Sequence, residues 1–124
     1  MYGLSNHLLN TPWPKVVRGM AQLSALSAKA DLAGDLFDLL SDRTPAADAS
    51  LPDTGLERER ERALSASHIV LGPPEDWTAV YGTRCATVLT LDAEGRANFE
   101  ERTFTHTAQI DAIAGESFVL AGSS

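Results

Sequence analysis

The feature that most constrains the fold is a pair of strand-like segments joined by a short turn. Residues 84–91 are rich in Thr, Val and Leu, as is typical of a β-strand, and residues 96–104 follow as its partner strand. Between them, Asp92–Gly95 suits a type I turn followed by a glycine at positive φ, which is a common hairpin closure. The sequence therefore predicts an antiparallel hairpin.

Both faces of the first predicted strand are apolar. Ala86 and Val88 point one way, whereas Cys85, Leu89 and Leu91 point the other way, because side chains alternate along a strand. A sheet with two apolar faces is expected to be covered on both sides. The rest of the chain supplies too little covering material, so either the chain dimerises or another segment covers the second face.

Two amphipathic helices are predicted before the hairpin. The first runs from Pro12 to Lys29 with Thr11 as its N-cap, because its apolar residues recur at helical spacing. The second is capped by Asp31. Its apolar positions are Leu32, Leu36, Phe37, Leu39 and Leu40. Two helices followed by an antiparallel sheet indicate an α+β fold.

The remaining segments carry weaker patterns. Residues 42–56 contain prolines, a glycine and several Asp residues and are predicted to form a surface loop. The alternating charges of Glu57–Arg62 predict a solvated surface rather than a binding tract. Short strands are expected at His68–Leu71 and at Ser117–Leu120.

Composition narrows the function classes. The 124 residues carry a net charge of -7, with 17 acidic and 10 basic side chains, and a negative field of this kind repels nucleic acid. A single cysteine fits a reducing compartment. No apolar run is long enough to cross a bilayer and no secretory leader is visible. We therefore predict a cytoplasmic protein, or one that reaches the lumen of an organelle by another route, with no nucleic-acid partner and no membrane span.

Common catalytic and metal-binding motifs are missing from the sequence. His7, His68 and His106 are scattered, so no metal site is predicted. No phosphate-binding glycine loop or Gly-x-Ser-x-Gly elbow occurs. Arg84 beside Cys85 could activate the thiol, but the apolar strand around Cys85 favours a small buried core residue.

Two segments are not explained by folding patterns alone. One is Tyr2–Asn6, which continues into Thr11–Lys15, and the other is Tyr81–Arg84. A polar Asn just before a helix and an Arg at the start of a buried strand are costly placements unless something uses them. Each residue also has a purely structural explanation: Asn6 could cap a helix, and Arg84 could form a surface ion pair.

The stretches GLSNHLLNTPWPKVVRG and YGTRCATVLTLDAEGRANFEERTF resemble the C-terminal half of the NRDE family, the homologues of transport and Golgi organisation protein 2. The resemblance covers most of residues 2–105, and residues 36–56 also fit it. The Asn-Arg-Asp-Glu motif that names the family, and the cysteine that precedes it, do not occur here. The resemblance implies that residues 1–124 form a single partial domain whose N-terminal half is absent.

The NRDE family is in turn similar to N-terminal nucleophile hydrolases of the choloylglycine type. This implies the C-terminal portion of a four-layer αββα sandwich. By position, Asn6 matches the oxyanion-stabilising Asn of those hydrolases and Arg84 matches their late pocket Arg. The ligand-binding residues expected around them are Ser5, His7, Trp13, Tyr81 and Thr83.

The resemblance leaves two functions open. The first is a non-catalytic binding or trafficking role in haem or lipid homeostasis and secretory organisation, with a small-molecule ligand and no resident cofactor. The second is hydrolysis of an amide or thioester, which needs a nucleophilic N-terminal Cys from the missing half, so the isolated chain is expected to be inactive. The expected protein partners are that missing half or a second copy of the chain.

Overall fold

The computed structural model describes residues 1–26, 31–72 and 81–120. Its helices are α1 (Pro14–Ala25), α2 (Leu32–Leu40) and α3 (Arg58–Leu64), with a 3₁₀ turn at Asp48–Ser50. Its strands are β1 (Val70–Leu71), β2 (Tyr81–Gly82), β3 (Cys85–Leu91), β4 (Arg96–Phe104) and β5 (Ile110–Val119). β1 pairs with β2, and β3, β4 and β5 form an antiparallel sheet in that order. The predicted α+β class is confirmed. No helix within the described ranges has the length and apolar composition needed to cross a membrane.

Helix α1 begins two residues later than predicted. Trp13, not Thr11, is its N-cap residue. The Thr11 hydroxyl lies 2.8 Å from His7 Nδ1 instead. The helix starts at Pro14, in the first turn, where the missing N–H of proline leaves no helical hydrogen bond unmade.

The end of α1 and the start of α2 flank residues 27–30, which lie outside the described part of the chain. Helix α1 ends at Ala25, and the predicted end at Lys29 falls among those undescribed residues. The predicted cap of α2 is confirmed, because the Asp31 carboxylate accepts a hydrogen bond from the Gly34 N–H at 2.9 Å.

The charged run Glu57–Arg62 forms most of α3. The sequence had predicted that the whole run is solvated, and this prediction is wrong for one residue. Glu61 is only 5% exposed. Its Oε1 accepts hydrogen bonds from the Thr54 N–H at 2.9 Å and from the Thr54 hydroxyl. These donors replace water around the carboxylate, which is what permits its burial. On the exposed side of the helix, Arg62 forms a bidentate ion pair with Asp48.

The predicted hairpin is confirmed. β3 and β4 pair without interruption along their length. In the turn, Gly95 has a φ of +77°, a conformation that only glycine adopts at little cost. The Asp92 carboxylate accepts hydrogen bonds from the backbone N–H groups of Glu94 and Arg96 at 3.0 and 2.8 Å. The local chemistry of the turn thus sets the register of the hairpin.

The last strand is longer than the sequence predicted. We expected a strand at Ser117–Leu120, whereas β5 is a ten-residue strand, Ile110–Val119. Its first six residues include Asp, Ala and Gly, which have weak strand preference. Pairing along β4, with one irregularity between Thr103 and Phe104, overrides that preference.

One face of the three-stranded sheet, the covered face, packs against α2. Phe37 is 1% exposed and forms the core with Ala86 and Val88 of β3. The Arg102 guanidinium lies 3.8 Å from the centre of the Phe37 ring. The partly buried side chains around this core are Leu36, Leu40 and Phe104.

The opposite face, the bare face, is apolar and exposed. Leu89 and Leu91 of β3 are 65% and 60% exposed, and Phe99 and Phe118 are 37% and 48% exposed. No helix of the described chain packs on this side of the sheet. The prediction that Cys85 is a buried core residue is wrong, because its side chain lies on this face and is exposed.

A buried histidine lies between α3 and the sheet. His68 is 2% exposed, and its N–H donates to the Asp42 carbonyl oxygen at 2.9 Å. Its ring meets Phe104 edge-on at 4.7 Å. Neither ring nitrogen has a hydrogen-bond partner within the described ranges. Burial, followed by the charge of Arg43, holds the pKa of His68 below its ordinary value of 6.5.

The core assignment predicts the effect of two matched truncations. Phe37→Ala should lower the free energy of unfolding by about 3–5 kcal/mol, because it leaves a cavity between α2 and the sheet. Phe118→Ala, the same change on the bare face, should cost less than about 1 kcal/mol. Urea unfolding followed by circular dichroism measures both. Equal losses would contradict the placement of the core on the covered face.

The burial of His68 predicts a loss of stability in mild acid. The unfolded state takes up the His68 proton more readily than the folded state, so stability should fall as the pH drops through about 6.5. His68→Leu should flatten the unfolding free energy between about pH 7.5 and pH 5. Thermal unfolding across this range measures the effect.

His106 provides the control for that experiment. It is exposed, so His106→Leu should keep the wild-type pH dependence. Hydrogen bonds hold the pKa values of Asp42, Asp48 and Glu61 below their ordinary values of 3.8 to 4.5. The stability that these carboxylates contribute is therefore lost only at a pH below the range in which His68 takes up a proton. An unchanged pH profile in His68→Leu would rule out His68 as the source of the acid sensitivity.

Candidate functional site

The N-terminal loop, residues 3–10, is closed by its own hydrogen bonds. The Gly3 N–H donates to Asn10 Oδ1 at 2.9 Å, and the Asn10 N–H donates to the Gly3 carbonyl oxygen at 2.7 Å. Asn10 has a φ of +59°, a region that Asn tolerates better than most side chains. The loop is therefore a structured unit that precedes α1.

Gly3 brings this loop close to α1. A Cβ atom at Gly3 would lie 2.6 Å from Val16 Cγ1 and 2.9 Å from Met20 Sδ. Both distances are too short for a side chain to fit without a shift of the helix residues. Glycine therefore fixes the position of the loop, and with it the positions of the predicted site residues it carries, relative to α1.

The polar side chains of the loop are oriented by their neighbours. The Ser5 hydroxyl donates to Asn6 Oδ1 at 3.1 Å. His7 Nδ1 is paired with the Thr11 hydroxyl at 2.8 Å, and the His7 ring meets Trp13 edge-on at 5.7 Å. Within the described part of the chain, the Asn6 amide nitrogen and His7 Nε2 have no hydrogen-bond partner.

Strand β2 brings the second predicted segment to the same region. The Thr83 N–H donates to the Ile69 carbonyl oxygen, and the Ile69 N–H donates to the Thr83 hydroxyl, both at 2.9 Å. The Thr83 hydroxyl therefore fastens this segment to Ile69. Tyr81 precedes it and is 59% exposed.

These elements enclose the main cavity, which has a volume of about 710 Å³. This volume lies in the range of about 300–1,000 Å³ that is common for small-molecule sites. Five predicted site residues line the main cavity: Ser5, Asn6, His7, Trp13 and Tyr81. The other lining residues are Pro14, Lys15, Pro52, Thr54, Leu56, Glu61, Leu64, Ser65 and Ile69.

The other two predicted residues line a different, smaller cavity. Thr83 and Arg84 face a volume of about 190 Å³ together with His106. Ile69 lines both cavities. Asn6 and Arg84, which were predicted to support one catalytic site, thus line different cavities in the described chain. Cys85 lines neither cavity.

Two charged side chains line the main cavity. Lys15 Nζ donates to the Leu64 carbonyl oxygen at 3.1 Å, and burial holds the pKa of Lys15 below its ordinary value of 10.5. The hydrogen bond from the Thr54 hydroxyl holds the pKa of Glu61 below 4.5. No group of three or more His, Cys, Asp or Glu residues within the described ranges could hold a metal ion.

The sequence analysis did not identify Lys15 or Glu61 as site residues. Lys15 could have been predicted from the sequence, because it lies two residues after Trp13 in the first unexplained segment. Glu61 gave no such signal, because the alternating run around it is typical of a solvated helix face. Trp13 was predicted, and the structure adds that its indole N–H is buried without an acceptor in the described chain.

Comparison with known proteins identifies relatives of the whole region that builds these cavities. The family described as Transport and Golgi organisation 2 matches residues 1–106. Proteins named as its homologues in Mus musculus and Homo sapiens are each 33% identical over 107 and 113 residues, and one in Bos taurus is 36% identical over 112. Each match covers 82% of this chain and 37% of the relative, so the chain spans little more than a third of the relatives' length. The chain belongs to the Transport and Golgi organisation 2 family.

Proposed function

We propose that this chain forms the ligand-binding part of a non-catalytic binding or trafficking protein that acts in haem or lipid homeostasis and secretory organisation in the cytoplasm. The observation that carries the proposal is the main cavity, which gathers five of the seven predicted site residues from two segments far apart in sequence. A cavity of about 710 Å³ is large enough for a small organic ligand.

The lining of the main cavity suits either a haem or a lipid chain. Leu56, Leu64 and Ile69 offer apolar surface to a ring or an acyl chain. His7 Nε2 is free in the described chain while Nδ1 is held by Thr11. A histidine that ligates a metal usually has its other ring nitrogen hydrogen-bonded in this way. His7 is accordingly the residue we assign to a haem iron carried as cargo.

We also propose that residues 1–124 are the C-terminal portion of one larger domain, a four-layer αββα sandwich. In such a sandwich two sheets pack face to face about 10 Å apart through apolar inner faces. The bare face, with its exposed Leu89, Leu91 and Phe99, supports this proposal. The relatives are long enough to supply the second sheet, since this chain matches 37% of their length.

The binding proposal predicts that filling the main cavity weakens binding. Leu56 lines the cavity and is 44% exposed, so Leu56→Trp should occupy ligand space without disturbing the core. We expect its affinity for haem and for a medium-chain acyl thioester to fall about tenfold or more. Haem absorbance and isothermal calorimetry are the respective measurements.

Leu120→Trp is the matched control for this cavity variant. Leu120 is 48% exposed and lies on the sheet side of the molecule, outside the cavity lining. It should bind both ligands like the wild type. If neither ligand binds the wild-type chain, or if both variants bind equally well, the cavity does not serve the proposed function.

The alternative proposal is hydrolysis of an amide or thioester. It is favoured by the Asn6 side chain, whose amide nitrogen is unpaired in the described chain and lines the main cavity. A cysteine thiolate from the longer protein would attack the carbonyl carbon, and the Asn6 N–H would stabilise the resulting oxyanion. The amine or thiol would then leave with a proton, and water would release the acid and regenerate the thiol.

This alternative predicts a large effect of Asn6→Ala in a longer protein that carries an N-terminal Cys. The kcat for an acyl thioester should fall about 10²–10³-fold, as expected when one oxyanion donor is lost. Ser50→Ala is the control, because Ser50 is exposed and is not one of the residues that line the cavity. Full activity of Asn6→Ala, or no turnover by the longer protein, would exclude this alternative.

A further inference from the structure

Lys15 is a cation in the wall of the main cavity with most of its hydrogen-bonding capacity unused. Its ammonium group has three N–H donors, of which one reaches the Leu64 carbonyl oxygen at 3.1 Å. No carboxylate of the described chain lies within ion-pair distance of it. Burial penalises this unpaired charge and lowers the pKa of Lys15. The group is therefore suited to receive an anion.

The side chains near Lys15 in the sequence are also donors. Asn6 has its carbonyl oxygen occupied by the Ser5 hydroxyl, which leaves its amide N–H groups unpaired in the described chain. The Trp13 indole N–H is buried and has no acceptor there. A buried donor without an acceptor is unfavourable, so an acceptor from a ligand would relieve it. Lys15, Asn6 and Trp13 all line the main cavity.

Glu61 is the carboxylate that lines the same cavity, and it is held by hydrogen bonds from a neighbouring residue. Its Oε1 accepts hydrogen bonds from the Thr54 N–H at 2.9 Å and from the Thr54 hydroxyl. The chain has a net charge of -7, so its overall field does not attract anions. Attraction of an anion into the main cavity would therefore have to be local, at Lys15.

We propose that the main cavity binds an amphipathic anion, with an acidic head at Lys15, Asn6 and Trp13 and an apolar body against Leu56, Leu64 and Ile69. This inference rests on the proposed binding function and specifies its ligand class. The shared chemistry is a carboxylate joined to an apolar body. A single-chain fatty acid and the dicarboxylate macrocycle of haem both meet this description, and the experiment separates them.

The test compares each acid with its ester on the complete 124-residue chain. The probes are dodecanoate with methyl dodecanoate, and haem with haem dimethyl ester. We expect at least one acid to bind the wild type about tenfold or more tightly than its ester, because the ester lacks the charge that Lys15 pairs with. Preference for one of the two acids identifies the source of the ligand.

Lys15 variants then locate the effect. Lys15→Gln keeps a donor for the Leu64 carbonyl oxygen but removes the charge, and should weaken acid binding about tenfold while leaving ester binding unchanged. Lys15→Arg should restore acid binding to within about threefold. Arg60→Gln, which removes an exposed cation of α3, should bind like the wild type. Circular dichroism verifies that each variant is folded.

The outcomes separate this inference from the proposed function. If acids and esters bind the wild type equally, or if Lys15→Gln leaves acid binding unchanged, the anion inference is wrong and the binding function stands. If none of the four probes binds, the proposed function fails and the inference fails with it. The comparison of acid and ester in the wild type needs no variant, so a variant that does not fold leaves the test decisive.

Discussion

The described fold depends on the burial of Phe37 between α2 and the sheet. It is the largest fully buried side chain in the described chain, and it joins α2 to Ala86 and Val88 of β3. Helix α1 packs on α2, and Gly3 holds the N-terminal loop against α1. The loop side of the main cavity is therefore positioned by a chain of contacts that starts at Phe37. The Tyr81 side is positioned by strand β2, which leads directly into β3.

The main cavity has a cation, Lys15, in its lining although the chain is acidic. Most of its acidic residues lie elsewhere, and the buried Glu61 is held by Thr54. Lys15 is kept beside the cavity because Pro14 starts α1 and places the next residue in the first helical turn. The carbonyl oxygen of Leu64 in α3 fixes the Lys15 ammonium group. Helices α1 and α3 thus meet at the Lys15 ammonium group, and no described carboxylate of either helix forms an ion pair with it.

Sequence reasoning succeeded where the determining chemistry is local. The turn at Asp92–Gly95 and the Asp31 cap each depend on a few adjacent residues. It failed where distant contacts decide the outcome. Strand β5 forms because β4 is beside it, and Glu61 is buried because Thr54 reaches it from a loop. The sequence also does not indicate that Arg84 and Asn6 line different cavities.

The charges on the bare face favour one of the two arrangements proposed to cover it. By strand register, Glu101 and Glu116 share this face with Leu89 and Phe99, and no Lys or Arg of β3, β4 or β5 lies on it. Two copies packed through this face would bring four carboxylates into an apolar interface without cations, which is strongly unfavourable. The second sheet of the proposed sandwich has no such constraint, because its residues can supply apolar and basic side chains where they are needed. The bare face therefore supports the sandwich over a symmetric dimer, and the acidic net charge of the chain acts in the same direction.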